Sequence, residues 1–432
     1  MDFYSTSDAG LARIATSSSA RPFWLPLAVL YAAMSFNFAL CFVNTNIAPV
    51  TVAHVIGSEV LIISLALLVA FRTIGTNQIM LILGLLLYLV ALSLIRASLG
   101  SSDQSSGAFD IKIMRDFMIP IAFFLLGTRV SKLSDVDKIV RVFAIVVTAV
   151  ALFEYFLLDV YVRFFNIMSY YLARGSLEYQ QVEYYTTTLY ISGFRPDGRS
   201  IFPFLGEHRV SSIFIEPVSP GNFAVALFFW ALVRSRYEKT VYYGLFLMAI
   251  FLTIMADNRF SAFLCIAALC ASMIPLRYLH TAIAAAPFVA IPSLLIMAAV
   301  FPNWEIDNST VARFIYSGYV LGGLNLWDWL GVGTASSDGD SGYAYTITQI
   351  GLLGFIALWG LFMTLKNTNA QFQLYRSLCG MYLAAILCVS YSCYSIKTAS
   401  LLWFLLGALS VARGYVSIPL TAARKGLAPA ST

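Results

Sequence analysis

The chain has 432 residues, of which 59% are hydrophobic and only 11% charged, and its mean hydropathy is +0.79. That balance excludes an ordinary soluble globular domain and marks a polytopic membrane protein. The net charge of +5 arrives without a dense basic run or zinc-type spacing, which sets nucleic acid aside and points to Lys and Arg in cytoplasmic loops.

Residues 1–22 form a polar tail with Arg13 and Arg21. The apolar run that follows is too long for a signal-peptide core and has no small-residue cleavage site, so it reads as the first span. Windows of about 20 apolar residues fall near 23–43, 48–70, 78–97, 111–127, 138–159 and 213–233. The series continues near 240–256, 259–276, 281–301, 344–365, 377–394 and 398–413. The expectation is an all-α polytopic membrane protein of about twelve transmembrane helices, a single integral membrane domain over 1–432.

With the N-terminus cytoplasmic, the inside loops carry Arg72, Arg129, Lys132, Lys138, Arg141, Arg234, Arg236, Lys239, Arg277, Lys366 and Arg376. The tail adds Arg413, Arg424 and Lys425, and the short outside turns carry few cations. This satisfies the positive-inside rule and predicts both termini in the cytoplasm.

Two connections are much longer than the rest, 160–212 and 302–343, and both fall on the outer side, where long ordered loops carry function. The first is dense in Tyr, Phe and Arg, including Arg163, Arg174, Arg195, Arg199 and Arg209. The second is acidic and has one arginine, Arg313. No internal repeat is visible, and the loops follow the fifth and ninth spans, which argues against two equivalent transporter halves.

The six cysteines lie in apolar segments without a CxxC pair, and read as small buried hydrophobes. His54, His208 and His280 lack ligand spacing, so neither a metal nor another cofactor is expected.

Three stretches could carry chemistry. In HRVSSIFIEP, Pro217 suits the first position of a helix that Glu216 precedes. Ile213, Phe214 and Ile215 then form an irregular approach that protein or a watery cavity must shield. Arg209 with the free N–H groups of that helix would seat an anion, and Glu216 would hold Arg209 or act as a base. The plainer alternative is a capped helix with a surface ion pair.

In MADNRF, Asp257, Asn258 and Arg259 form a tight outer turn, with Arg259 either facing an anionic partner or neutralised by Asp257 in a solvated hairpin. In the third stretch, Trp327 and Trp329 suit an interfacial belt or an apolar platform for a sugar, and Gly331 and Gly333 permit a close turn. Asp338 and Asp340 are a weak DxD match, and no EF-hand glutamate follows. His54, Glu59, Arg115, Asp116, Glu154 and Lys397 are intramembrane polar residues, either functional or paired between helices.

HRVSSIFIEP ahead of a span, NRFSAF between two spans, and GVG followed by DSGY and GLLG entering another resemble the bacterial Wzy-type O-antigen and exopolysaccharide polymerases, grouped with the O-antigen ligases. A xanthan-type exopolysaccharide polymerase is the member suggested. The resemblance covers the membrane layout of nearly the whole chain, through short motifs.

It implies an inner-membrane glycosyltransferase that joins undecaprenyl-diphosphate-linked oligosaccharide repeat units at the periplasmic face, without nucleotide sugar. Its implied partners are the lipid-linked donor and acceptor, membrane lipid, a chain-length-regulating copolymerase and a flippase. The family's loop arginines map onto Arg195, Arg199 and Arg209, and its inter-helical arginine onto Arg259, with Arg313 added by location. Arg209 and Arg259 would hold the diphosphate while Asp340 or Glu216 takes the acceptor proton. Trp327, Trp329 and Tyr343 complete the expected substrate site. The ligases' histidine in the second long loop is absent here, which favours a polymerase. A lipid-linked oligosaccharide flippase or another transporter is the alternative from another class, and an O-antigen ligase is the nearest alternative within the class.

Overall fold

The computed structural model describes residues 24–71, 74–99, 111–130, 132–175, 188–195, 198–238, 242–304, 309–333, 341–365 and 367–412. Asp338 and Asp340 lie outside these residues. Within them the protein is helical, and an isolated antiparallel bridge pairs Phe194 with His208.

The first group of helices is α1 (Trp24–Asn46), α2 (Val52–Ala70), α3 (Thr76–Leu99), α4 (Ile111–Gly127) and α5 (Leu133–Phe156). Short helices α6 (Leu158–Phe164) and α7 (Ile167–Ala173) follow, then 3-10 turns at Ile191–Gly193, Pro203–Leu205 and Ser212–Phe214. Next come α8 (Val218–Glu238), α9 (Tyr243–Met255), α10 (Arg259–Met273), α11 (Leu276–Val300), α12 (Thr310–Gly322) and α13 (Leu326–Trp329). α14 (Gly342–Thr364), α15 (Ala370–Ile386) and α16 (Ile396–Val411) close the bundle.

Every predicted span overlaps one of these helices, and six helices, α1, α2, α3, α5, α11 and α14, are long and apolar enough to cross a membrane. The two long connections are not plain loops. The first contains α6, α7 and the three 3-10 turns, and the second contains α12 and α13. Among the cysteines, Cys270 departs from the expected burial and is exposed on α10.

The core centres on α8 and α16. From Ser219 to Ala231 every α8 residue is buried, so the helix is enclosed on all sides, as expected where apolar residues surround the whole circumference. Its far end is locked by Arg234, which pairs with Asp137 of α5 at 2.8 Å and donates to Gln371 of α15 at 3.0 Å. α16 lies backbone-to-backbone against α4. A Cβ on Gly407 would stand 1.9 Å from the Phe124 carbonyl, and one on Gly127 would stand 2.0 Å from that of Phe404. Small residues permit this approach where van der Waals packing replaces the hydrophobic drive between helices.

Within the bundle, α2, α4 and α14 share a paired set of charges. Arg115 of α4 reaches Glu59 of α2 at 2.5 Å and Asp116 at 2.6 Å, and the Tyr345 hydroxyl of α14 donates to Asp116 at 2.5 Å.

α14 breaks at Gly351, where φ is 69°. The break strips the helix bonds from nearby carbonyls, and α3 supplies replacements. Arg96 donates to the carbonyls of Thr348 at 3.0 Å and Gln349 at 2.5 Å, and Tyr88 to that of Ile350 at 2.6 Å. Arg96 also holds the Gly331 carbonyl at 2.8 Å. A Cβ on Gly331 would lie 2.3 Å from the Gly351 nitrogen, so the GVG turn sits directly on the GLLG break.

Candidate active site

The turn between α9 and α10 is the anchor. Asp257 takes a left-handed conformation, φ 46°, and Asn258 caps α10 by accepting from the Ser261 amide at 3.1 Å. The buried Asp257 carboxylate accepts from the amides of Ser200 at 3.0 Å and Ile201 at 2.8 Å, and pairs with Arg195 at 3.1 Å. The first long connection is thus fastened onto the hairpin. This excludes the solvated-turn reading of Asp257.

Arg209 stitches the same two segments. Its amide donates to Gly193 O at 2.8 Å, and the next amide, of Val210, donates to Met255 O at 3.0 Å. Its guanidinium donates to Ala256 O at 3.0 Å and Ser192 O at 2.8 Å. Arg199 is 2% exposed, donates to His208 O and lies 5.5 Å from the centre of the Tyr155 ring. Its Nε and Nη1 have no hydrogen-bond partner among the described residues. Such orphaned donors are rare in a folded interior and imply a missing acceptor.

Glu154 of α5 supports the arrangement from below. Fully buried, it accepts from the amides of Ser211 at 2.9 Å and Ser212 at 2.5 Å, and lies 3.1 Å from His208 Nε2. These bonds hold an irregular approach to α8 in which Ser212 and Ile215 have φ 51° and 54°. For a β-branched residue that is a strained state, sustained by its surroundings. Among the described residues, the non-glycine positions with positive φ are Ser212, Ile215 and Asp257, all at this site.

The arginines feel one another. Burial, together with Arg195, Arg313 and Arg199, pulls Arg209 down to about 10 against the opposing Asp257. Burial also lowers Arg195, where Arg259 and Arg313 add repulsion to outweigh Asp257. Burial lowers Arg199 against the pull of Tyr155, Asp257 and Glu154. Like charges crowded where water is scarce disfavour their own ionisation, and a bound anion relieves that cost. Arg259 is exposed at the first residue of α10, and Arg313 is half-buried on α12. The expected arginines Arg195, Arg199, Arg209, Arg259 and Arg313 therefore belong to one electrostatic neighbourhood.

Glu216 belongs elsewhere. It pairs with Lys397 of α16 instead of Arg209, and accepts from Ser219 Oγ at 3.2 Å, while Lys397 also donates to Phe214 O at 3.3 Å. Tyr343 faces inward, fully buried, with its hydroxyl donating to Ala384 O at 2.8 Å. Trp327 is exposed on α13, and Trp329 packs partly against the core. Asp340 lies outside the described residues.

Glu154, read from the sequence only as an intramembrane polar residue that is functional or paired, acquires these partners here, and Tyr155 and the exposed aromatics Phe202 and Phe204 are additions of the structure. The Glu154 partners lie 57 and 58 residues further along the chain, a separation no local pattern reports. Phe202 and Phe204 carried a signal, the aromatic density of IFPFL beside two arginines. Among the described residues, no three metal-ligating side chains gather. No family model matches the chain, and no curated protein or solved structure matches it.

Proposed function

We propose that this protein is a polysaccharide polymerase, a glycosyltransferase that joins polyprenyl-diphosphate-linked oligosaccharide units at the outer face of a bacterial inner membrane. The observation that carries the reading is the docking of Arg195 and Arg209 onto the turn that leads into Arg259, with buried Arg199 beside His208, around strained, buried backbone. Guanidinium groups match phosphate oxygens in pairs and stabilise charge as it develops on a leaving group.

In this scheme the acceptor hydroxyl oxygen attacks the anomeric carbon of the donor glycan. The bond from that carbon to the diphosphate oxygen breaks in line, and the polyprenyl diphosphate departs with the electron pair, held by Arg209, Arg199 and Arg259. The acceptor proton passes to a carboxylate. Asp340 is the candidate, because Glu216 is committed to Lys397. One displacement inverts the anomeric configuration. The exposed faces of Phe202 and Phe204 beside the arginines, and of Trp327 on α13, are suited to stack on sugar rings. About twelve spans, two periplasmic connections and cytoplasmic termini complete the layout, with a copolymerase and a flippase as partners.

Purified protein in vesicles, supplied with an undecaprenyl-diphosphate repeat unit and no added metal, is expected to make a polymer ladder. Arg209→Ala and Arg259→Ala proteins that still insert are expected to make none, and full-length polymer from both ends the proposal.

A second reading, transport of a lipid-linked oligosaccharide, draws on the Glu59–Arg115–Asp116–Tyr345 network inside the bundle. A deletion strain separates the two. Single lipid-linked repeats accumulate on the outer leaflet if a polymerase is lost, and on the inner leaflet if a transporter is lost.

A further inference from the structure

Another arginine of the first long connection stands apart from the site described above. Arg174 ends α7, half-buried, with its guanidinium carbon 5.0 Å from the centre of the Tyr171 ring and 5.9 Å from that of Tyr170. Both rings are buried, and Tyr170 is fixed by its hydroxyl donating to Asn37 Oδ1 of α1 at 2.6 Å. Two aromatic faces thus hold the cation, and among the described residues no carboxylate pairs with it. The carboxylates whose field reaches it, Glu59 and Glu216, bond instead to Arg115 and Lys397. The buried Tyr171 hydroxyl also has no partner among the described residues. The Ile191–Gly193 turn separates this place from Arg209. Ahead of the turn the Tyr190 ring lies 4.5 Å from that of Tyr171, and within it Ser192 O and Gly193 O accept from Arg209. Met168 N of α7 donates to Thr188 O at 3.0 Å, which fastens the two segments together. Pro217 stands 4.0 Å from a Cβ placed on Gly193 and brings Glu216 to the same side. Both side-chain bonds of Glu216 fall on Oε2, and its side chain keeps 27% of its surface open.

We infer that Arg174 seats the carboxylate of an acidic sugar, whose ring lies on Tyr190 and whose hydroxyls reach Glu216. The inference rests on the polymerase reading for the sugar, and adds to it selection of an acidic glycan. A guanidinium clamped on aromatic faces keeps its edge for a ligand, and that edge takes two carboxylate oxygens side by side. Charge then chooses among anions. One cation with Glu59 and Glu216 in its field offsets a single negative charge. A diphosphate carries more, and it finds Arg195, Arg199 and Arg209 beyond the turn. The half-buried Tyr190 ring suits the apolar face of a pyranose. The free oxygen of Glu216 accepts from hydroxyls, which a simple inorganic anion does not offer.

The test uses the full-length protein in lipid nanodiscs with two photoprobes that differ at one carbon, a glucuronide and a glucoside, each bearing a diazirine on its aglycone. The glucuronide is expected to label peptides carrying residues 170–174 or 190 about tenfold more than the glucoside, the worth of one charge-assisted contact. Free glucuronate is expected to compete, and glucose is not. Arg174→Gln is expected to cut the glucuronide label by about tenfold, and Arg163→Gln, at an exposed arginine of α6, to leave it unchanged. Equal labelling by the two probes, label confined to other segments, or displacement by inorganic phosphate at lower concentration than glucuronate overturns the inference. Should Arg174→Gln protein not accumulate, the two probes on the unaltered protein decide alone. Polymer synthesis is scored separately. Polymer with equal labelling by the two probes sinks the acidic-sugar seat and spares the polymerase, whereas glucuronide label at Arg174 without polymer does the reverse.

Discussion

Arg199 and Arg209 are both buried arginines, yet their side chains are spent differently. Arg209 gives its guanidinium to two backbone carbonyls, so it builds the site as well as charging it. Arg199 keeps two nitrogens without a partner among the described residues, and these are open to an acceptor. Arg199→Lys retains the charge and loses the fork, and is expected to cut the rate of polymer formation by about 10²-fold with little change in thermal unfolding. Arg209→Lys is expected to lower both rate and unfolding temperature, which a melting curve beside the assay separates.

Charge on these groups also fixes a pH dependence. Arg209 is depressed to about 10 and binds an anion as the protonated form, so the contribution is fully present at neutral pH. Inhibition by inorganic sulfate, an anion whose own charge is constant over this range, is expected to hold steady from about pH 6 to 9 and to weaken as pH rises through about 10. Constant inhibition to pH 11 would contradict this. At Lys397 the expected effect is structural. Lys397→Met strands Glu216 and is expected to destabilise the protein by about 1–3 kcal/mol, with Glu216→Gln in the same chain recovering part of it.

On the scale of the element, α14 and the α4–α16 pair show what local sequence can disclose. GVG and GLLG announced close turns, but not that Gly331 and Gly351 meet, nor that Arg96 of α3 closes the exposed carbonyls. Gly351→Ala combines a positive φ with backbone 2.6 Å from its would-be Cβ. It is expected to cost at least about 1–3 kcal/mol, visible as a lowered unfolding temperature in detergent. Gly407→Val should separate α16 from α4 and prevent accumulation of folded protein, because its neighbour is a carbonyl that cannot step aside. Glu216 shows the opposite case. Its proximity to Arg209 in sequence suggested a pair, whereas a lysine 181 residues away holds it.

At the scale of the whole molecule, the helices were legible because apolar stretches of spanning length are a strong one-dimensional signal. Their ends were less so, since Leu133–Phe156 and Val218–Glu238 extend beyond or start after the predicted windows through turns set by distant partners. The arginines of the site could be named, but their convergence depends on a hairpin meeting a loop, which no spacing encodes. Which side of the membrane they occupy is open to direct measurement. In a cysteine-free background, single cysteines at the exposed positions Glu207 and Asn325 are expected to react with an impermeant maleimide on intact spheroplasts. A cysteine at Arg277 is expected to react only after permeabilisation.

The Asp257 anchor also imposes an order on biogenesis. Residues 188–212 leave the ribosome before the carboxylate that receives Ser200, Ile201 and Arg195 has been made. Until α9 and α10 form, that stretch has no place to dock, and a nascent chain halted ahead of Tyr243 should be cut there by added protease. Release past Met273 should bring resistance in one step, making this a late checkpoint in assembly instead of a region that matures as it emerges.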